Sequence, residues 1–441
     1  MAGTTQIKAQ WHVCFILALL YMVANIDRFI INLMVEPMKR DLLLSDTQIS
    51  LLVGITFSLF YVLFGLPIAR LADRANRRNI LAAGIGVWSI MTALGGVAQN
   101  FWHLFVARMG VGVGEATIAP TAHSILADSL PPEKLSRGFG IFNMGAVLGG
   151  ALAFIVGGAL LAWAGKAYPN GLEIPLVGSI FSWQLVFIIV GLPGVLLAFL
   201  FMLMVKEPPR HNATSEETMP LSEIIGFMKQ HKRVFIAIYG GLALIQISAG
   251  GLAAWMPALM ERKYGLAPDA AAPYLVMSLI VPGLLSSFAS GWAADKMLAR
   301  GTKDAHLKLI VWSLALSAIP FSIAPLMPTA TLQAGIFGIS YFFVFMQMIL
   351  CPSALQLISP SRMRAVLGSL VMVCTVLIGH GSGPTVVALI TDFGFADESK
   401  LDQSLFIVCA VCVTLSTLVF ASGRKAFGEM MENTQNAPRV G

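Results

Sequence analysis

Charge is scarce in this chain: 12% of its 441 residues are Asp, Glu, Lys or Arg, against 57% hydrophobic ones. Its mean hydropathy is +0.78, whereas soluble domains carry about 25% charged residues. A chain this apolar cannot cover itself with polar surface, so a soluble globular protein is excluded and the solvent must be lipid. No polar segment is large enough for a soluble output domain, which argues against a sensor. Catalytic signatures are missing as well. The chain has no H-E-x-x-H, G-x-S-x-G or Walker A sequence, and its Gly110, Gly112 and Gly114 follow no strand. With no clustered Cys/His ligands either, the sequence implies neither metal nor cofactor, and little favours a membrane-embedded lipid enzyme. The five cysteines all fall in apolar runs, so no disulfide framework is implied. Cys409 and Cys412 read as small residues one helical turn apart rather than a redox pair.

What is abundant is span-length apolar sequence. Runs of about 20 such residues cross a bilayer as helices, because backbone groups in lipid must be satisfied internally. Twelve occur, at 12–34, 47–69, 79–99, 102–127, 137–162, 182–205, 234–260, 272–295, 307–326, 330–356, 365–391 and 403–423. The fold class is therefore an all-α membrane protein of 12 transmembrane helices. With both termini in the cytoplasm, 21 of the 29 Lys and Arg lie in cytoplasmic segments, six lie in external loops, and Arg28 and Arg108 lie within helices. That asymmetry follows the positive-inside rule. The net charge of +6 thus reflects topology and calls for no nucleic acid. The first run is span-length, so no cleavable signal is expected.

Two loops echo each other across the chain. Gly65 to Arg78 reads GLPIARLADRANRR, and Gly291 to Arg300 reads GWAADKMLAR; their Asp73 and Asp295 lie 222 residues apart, half the chain. This marks a duplication into two pseudo-symmetric six-helix bundles, a common plan among secondary transporters. The expected organisation is an N-terminal bundle over 1–205, a cytoplasmic linker with a short amphipathic helix over 206–233, a C-terminal bundle over 234–423 and a cytoplasmic tail over 424–441. Asn212-Ala-Thr214 matches a glycosylation acceptor, but it lies on the cytoplasmic side and should be unused. In the first loop Asp73, Arg74, Arg77 and Arg78 can join helices through Asp–Arg bonds, with Asp128 as a further partner for Arg77 or Arg74. A solvated positive-inside loop is the simpler reading for the arginines, but not for Asp73.

Ionised residues within spans cost several kcal/mol and usually mark function. Asp27 and Arg28 are adjacent and project about 100° apart on a helix, so each needs a partner elsewhere. Arg108 and Glu115, seven apart, share a face. At 1.5 Å per residue Asp27 lies about 22 Å and Glu115 about 18 Å from the inner ends of their helices, so Asp27, Arg28 and Glu115 can meet near the midplane, with Arg108 about 10 Å higher. Such a carboxylate beside an arginine can exchange protons as access alternates, since desolvation favours its neutral form and the arginine its charged form. A buried ion pair that fixes packing is the alternative. In the second half the lone midplane titratable group is His380, in LIGHGSGP; it fits a titrating or headgroup-binding role and a structural hydrogen bond equally. Near it in depth are Gln246, Trp255, Gln347 and Gln356, with Met346 and Met348. A cavity polar on one side and apolar on the other would suit an amphiphile.

On these residues the chain resembles the major facilitator superfamily, whose signature falls between the second and third helices with an echo after the eighth. It departs at Ala69, where the family usually has glycine. Within that superfamily NIDRFIIN from Asn25, LADRANRR from Leu71 and ARMGVGVGEATIAPTAHSILAD from Ala107 are similar to the Spinster group of lysolipid and sphingolipid transporters. The fifth helix lacks the Gly-Pro pair of drug antiporters. The resemblance implies a proton-linked polar site at Asp27, Arg28 and Glu115 and a cytoplasmic latch at Asp73, Arg77 and Asp128. The function expected is secondary active, proton-coupled transport of a lysophospholipid- or sphingolipid-like amphiphile by alternating access. The implied protein is a monomer in the bacterial inner membrane, driven by the proton gradient. The alternatives are carriage of small organic anions, with Arg28 and Arg108 binding a carboxylate, or of drugs.

Overall fold

The computed structural model describes residues 2–169, 171–174, 178–210 and 220–436. The Asn212-Ala-Thr214 acceptor, the Ser/Glu-rich part of the linker and the last residues of the tail lie outside them. Among the described residues ten helices are long and apolar enough to cross a membrane. In chain order the elements are α1 (Trp11–Leu42) and α2 (Asp46–Arg74), α3 (Arg77–Gly95), α4 (Phe101–Glu115) and α5 (Ile118–Ser129), then α6 (Arg137–Ala167). A short antiparallel hairpin, β1 (Leu172–Ile174) and β2 (Gly178–Ile180), pairs Leu172 with Ile180. There follow α7 (Ser182–Met204), α8 (Leu221–Gln230), α9 (Lys232–Tyr264), α10 (Pro268–Ala299), α11 (Ala305–Leu326), α12 (Ala330–Ile358), α13 (Val366–Phe395) and α14 (Glu398–Asn433). Large apolar side chains such as Phe15, Leu63, Phe199, Phe288, Ile319 and Ile339 stand exposed on these helices. Water would not tolerate so much apolar surface, and lipid does.

The sequence sets the ends locally. Ser45 caps α2: its hydroxyl accepts from the Gln48 N–H, and the Gln48 side chain accepts from the Ser45 N–H, a capping box. Asn76 caps α3 by accepting from the Asn79 N–H at 3.0 Å,. The fourth span, by contrast, is interrupted between Glu115 and Ile118. Pro120 has no N–H to return to the Ala116 carbonyl, so the helix cannot run through regularly.

The chain divides into two compact units: residues 1–213 with 260–273, and 214–259 with 274–441. In the first unit α1 packs along α6, α3 against α4 and α7, and α2 against α4. In the second, α11 packs against α12 and α14, and α10 against α12. Each unit thus repeats the same pairing of its second, third, fourth and sixth spans. Close backbone approach repeats too. A Cβ on Gly145 of α6 would come within 2.1 Å of the Ala18 carbonyl oxygen on α1, and one on Gly250 of α9 within 2.4 Å of the Gly379 oxygen on α13. Small residues let helices approach where lipid supplies no hydrophobic drive.

The α3–α4 crossing is tight in both directions. A Cβ on Gly84 would lie 2.8 Å from the Gly114 carbonyl oxygen, and one on Gly114 would lie 2.8 Å from the Gly84 oxygen and 2.7 Å from the Trp88 nitrogen. Backbone cannot yield as a flexible side chain does, so Gly114→Val is expected to lower stability by about 1–3 kcal/mol. Thermal unfolding in detergent measures this; an unchanged midpoint would refute the close approach.

Candidate functional site

The charged layer of the first unit is assembled by four spans. Arg28 of α1 donates from Nε (3.0 Å) and Nη2 (2.5 Å) to Oε2 of Glu115. Glu115 is the last residue of α4, at the interruption, and is fully buried; its Oε1 accepts no hydrogen bond. A carboxylate at a helix C-terminus meets the negative end of the dipole, so the arginine does most of the stabilising. Phe57 of α2 lies between two cations, 4.8 Å from the Arg28 guanidinium and 5.2 Å from that of Arg108. Tyr61, one turn on, is 5.2 Å from Arg28. Both arginines are thereby held against ring faces, which attract a desolvated cation.

Asp27 is buried and forms no ion pair among the described residues; the Thr92 hydroxyl is its side-chain hydrogen-bonding neighbour, and Glu115 and Arg108 act on it through space. Arg108 is buried too. Its Nε reaches the Leu52 carbonyl at 3.4 Å, and its Nη2 makes no hydrogen bond among the described residues. Leu52 lies in a π-helical stretch, Leu51–Ile55, where the widened turn shifts backbone bonding from the regular pattern. The structure thus brings Asp27, Arg28, Arg108 and Glu115 together. It adds Phe57 and Tyr61, whose i, i+4 spacing on α2 is the one trace of them in the sequence.

At the α2–α3 end Arg77 is the centre. Buried at 1% exposure, it donates to Asp128 (2.5 Å), Glu207 (2.7 Å), the Ser124 hydroxyl (2.8 Å) and the Pro208 carbonyl (2.9 Å). Glu207 also accepts the Arg78 N–H at 2.9 Å, where the N-terminus of α3 favours an anion. Arg210 donates to the Ala72 and Ala75 carbonyls. The expectation that Asp73 joins this cluster is corrected: Asp73 and Arg74 are exposed and make no hydrogen bond or ion pair among the described residues. Helix α2 continues through Arg74, burying Ala72 and turning Asp73 about 100° away,. Glu207, which the sequence reading left in the linker, takes the expected place. Asp295 is likewise exposed and its field falls on His306.

The opposite end of the first unit holds a second cluster that sequence reading counted only as loop charge. Arg262 donates from Nε to Glu36 at 2.7 Å and from Nη1 and Nη2 to Asp46 at 2.8 and 2.7 Å. Lys39 also pairs with Asp46, which is fully buried. In the second unit Gln347 donates to Gln246 at 3.0 Å and Trp255 to the Pro384 carbonyl at 2.9 Å, while Gln356 is exposed. His380 is half-buried in a π-helical stretch of α13, Val373–Ser382. Among the described residues no group of three His, Cys, Asp or Glu could hold a metal, no disulfide forms, and all five cysteines are buried.

A duplicated all-α bundle in lipid, with a charged layer at an interrupted helix, defines a polytopic membrane protein of the secondary-carrier type. The chain belongs to the Major Facilitator Superfamily, whose model matches residues 17–384; it is a membrane transporter and not an enzyme. It is 27% identical over 390 residues to an MFS-type efflux pump of Mycolicibacterium smegmatis, across 87% of this chain and 85% of that one. It is 24% identical over 349 residues to a hexuronate transporter of Bacillus subtilis, across 77% and 78%. The crystal structure of a bacterial homolog to the human lysosomal transporter Spinster superposes with a TM-score of 0.75 at 25% identity, covering 97% of this chain and 98% of that one. The chain resembles Spinster proteins.

Proposed function

We propose that the protein is a proton-coupled secondary transporter of a lysophospholipid- or sphingolipid-like amphiphile. It works by alternating access, as a monomer, with both termini on the cytoplasmic side of a bacterial inner membrane. The observation that carries this reading is the Arg28–Glu115 pair with a second buried acid, Asp27, beside it and outside any ion pair of the described residues. Arg28 bonds Glu115 while Arg108 acts on both buried carboxylates, so a proton on either acid changes which charges the arginines serve,. Proton binding then alters the bonds that join α1 to α4, the coupling that alternating access requires. The lipid-like substrate rests on the Spinster resemblance. His380 is the second unit's candidate substrate-contacting group, and the Arg77 cluster is the cytoplasmic latch.

A second reading, carriage of small organic anions, draws on the hexuronate transporter relative and on the unpartnered Nη2 of Arg108. One experiment separates them: uptake of labelled lysophospholipid by proteoliposomes, with and without an imposed pH gradient. Gradient-driven uptake, competed by unlabelled lysolipid and not by hexuronate, is expected. Competition by hexuronate with no lysolipid movement would replace the amphiphile with an organic anion. Movement indifferent to the gradient would remove the proton.

A further inference from the structure

We propose that the α1–α2 end of the first unit carries a binding site for an organic ammonium group, with Glu261 as its counter-charge. The site is separate from the charged layer and independent of the transport reading. A cavity of about 440 Å³ opens there, walled by the ends of α1, α6 and α9 and the start of α7. Its charged lining consists of Arg40, Asp41 and Glu261. Asp41 is already engaged: it accepts from Arg40 at 3.2 Å and from the Trp183 indole at 3.0 Å. Glu261 is half-buried, yet it accepts no hydrogen bond from a described residue. The adjacent Arg262 is turned toward Glu36 and Asp46, which its three guanidinium nitrogens bond, and with Arg40 it acts on Glu261 only through space. With Arg40 and Asp41 paired, Glu261 is the one charged group of the lining outside any ion pair of the described residues.

The rest of the lining says what kind of cation fits. Tyr168 and Phe181 supply an aromatic wall, with Trp183 fully buried behind it. A metal ion gains little from such a wall, since it needs several oxygen ligands, whereas an ammonium group gains from ring faces and from one carboxylate together. Behind this wall Trp183 is fixed by its bond to Asp41 and by edge packing against Phe187. The ammonium can belong to a lipid headgroup or to a free amine; the chemistry at Glu261 is the same.

The test uses the purified full-length protein in detergent, followed by thermal unfolding and tryptophan fluorescence during titration with choline or ethanolamine, with sodium chloride as the ionic control. A saturable rise in unfolding temperature with an amine and none with sodium is expected. Glu261→Gln should weaken binding by at least about tenfold, because the partner charge is removed from a partly desolvated site. Tyr168→Ala should weaken choline more than ethanolamine, since the quaternary group depends on ring faces. Response to lysophosphatidylethanolamine but not to free amines or to lysophosphatidylglycerol would make the occupant a lipid headgroup; response to free amines makes it a small amine. No saturable shift with any of these, or the same shift in Glu261→Gln, would overturn the proposal.

Discussion

Arg28→Ala is expected to destabilise the protein by about 3–5 kcal/mol, the loss seen when one partner of a buried ion pair is removed. It leaves Glu115 fully buried, at a helix C-terminus, with neither oxygen bonded. Glu115→Gln is expected to cost less. The orphaned arginine keeps the faces of Phe57 and Tyr61 and is 17% exposed, and a desolvated cation on a ring retains about 2 kcal/mol. The double variant Arg28→Ala/Glu115→Gln should then unfold above Arg28→Ala alone, because it removes the unpaired charge rather than adding a second lesion. Transport divides differently: in proteoliposomes Glu115→Gln should keep its fold but lose gradient-driven movement, since an amide cannot carry the proton. A double-mutant cycle by thermal unfolding, run beside the flux assay, reads both. Additive losses in the cycle would refute the pair, and gradient-driven flux that survives in Glu115→Gln would assign the proton elsewhere.

The architecture was legible because lipid enforces it. Where no water reaches the backbone, a run of apolar residues has one solution, so the helices could be placed from composition and the repeat from two charged loops. The midplane site was legible for the same reason: Asp27, Arg28, Arg108 and Glu115 are conspicuous against an apolar background, and helical rise alone puts three of them at one depth. What escaped reading was whatever depended on side-chain choice among equivalent loop charges. Asp73 lies four residues before Arg77 in sequence and Glu207 130 residues after it, yet α2 turns Asp73 to the surface and Glu207 binds the arginine. Arg262 meets Asp46 over 216 residues, a pairing that no local pattern encodes. The hairpin at Leu172–Ile180 escaped because a single pair of three-residue strands hardly rises above a loop in sequence.

Arg77→Ala is expected to release the segment from Lys206 to Arg210. One buried guanidinium bonds Asp128, Glu207, Ser124 and Pro208 at once, so it fixes the start of the connection between the two halves of the chain against α3 and α5. Without it, Asp128 and Glu207 are left as neighbouring acids with no shared cation, a loss of about 3 kcal/mol for a group this buried. Arg77→Lys should rescue little, because a single ammonium cannot span acceptors that the planar fork reaches from two sides. Asp73→Asn should leave the segment unchanged, since Asp73 is exposed and unbonded. Limited trypsin digestion gives the readout, with Lys206 and Arg210 as the cleavage points. Faster cutting there in Arg77→Ala and Arg77→Lys, with wild-type rates in Asp73→Asn, is the expected pattern. Equal rates in all four proteins would show that the segment is held by something other than Arg77. Faster cutting in Asp73→Asn would return Asp73 to the cluster.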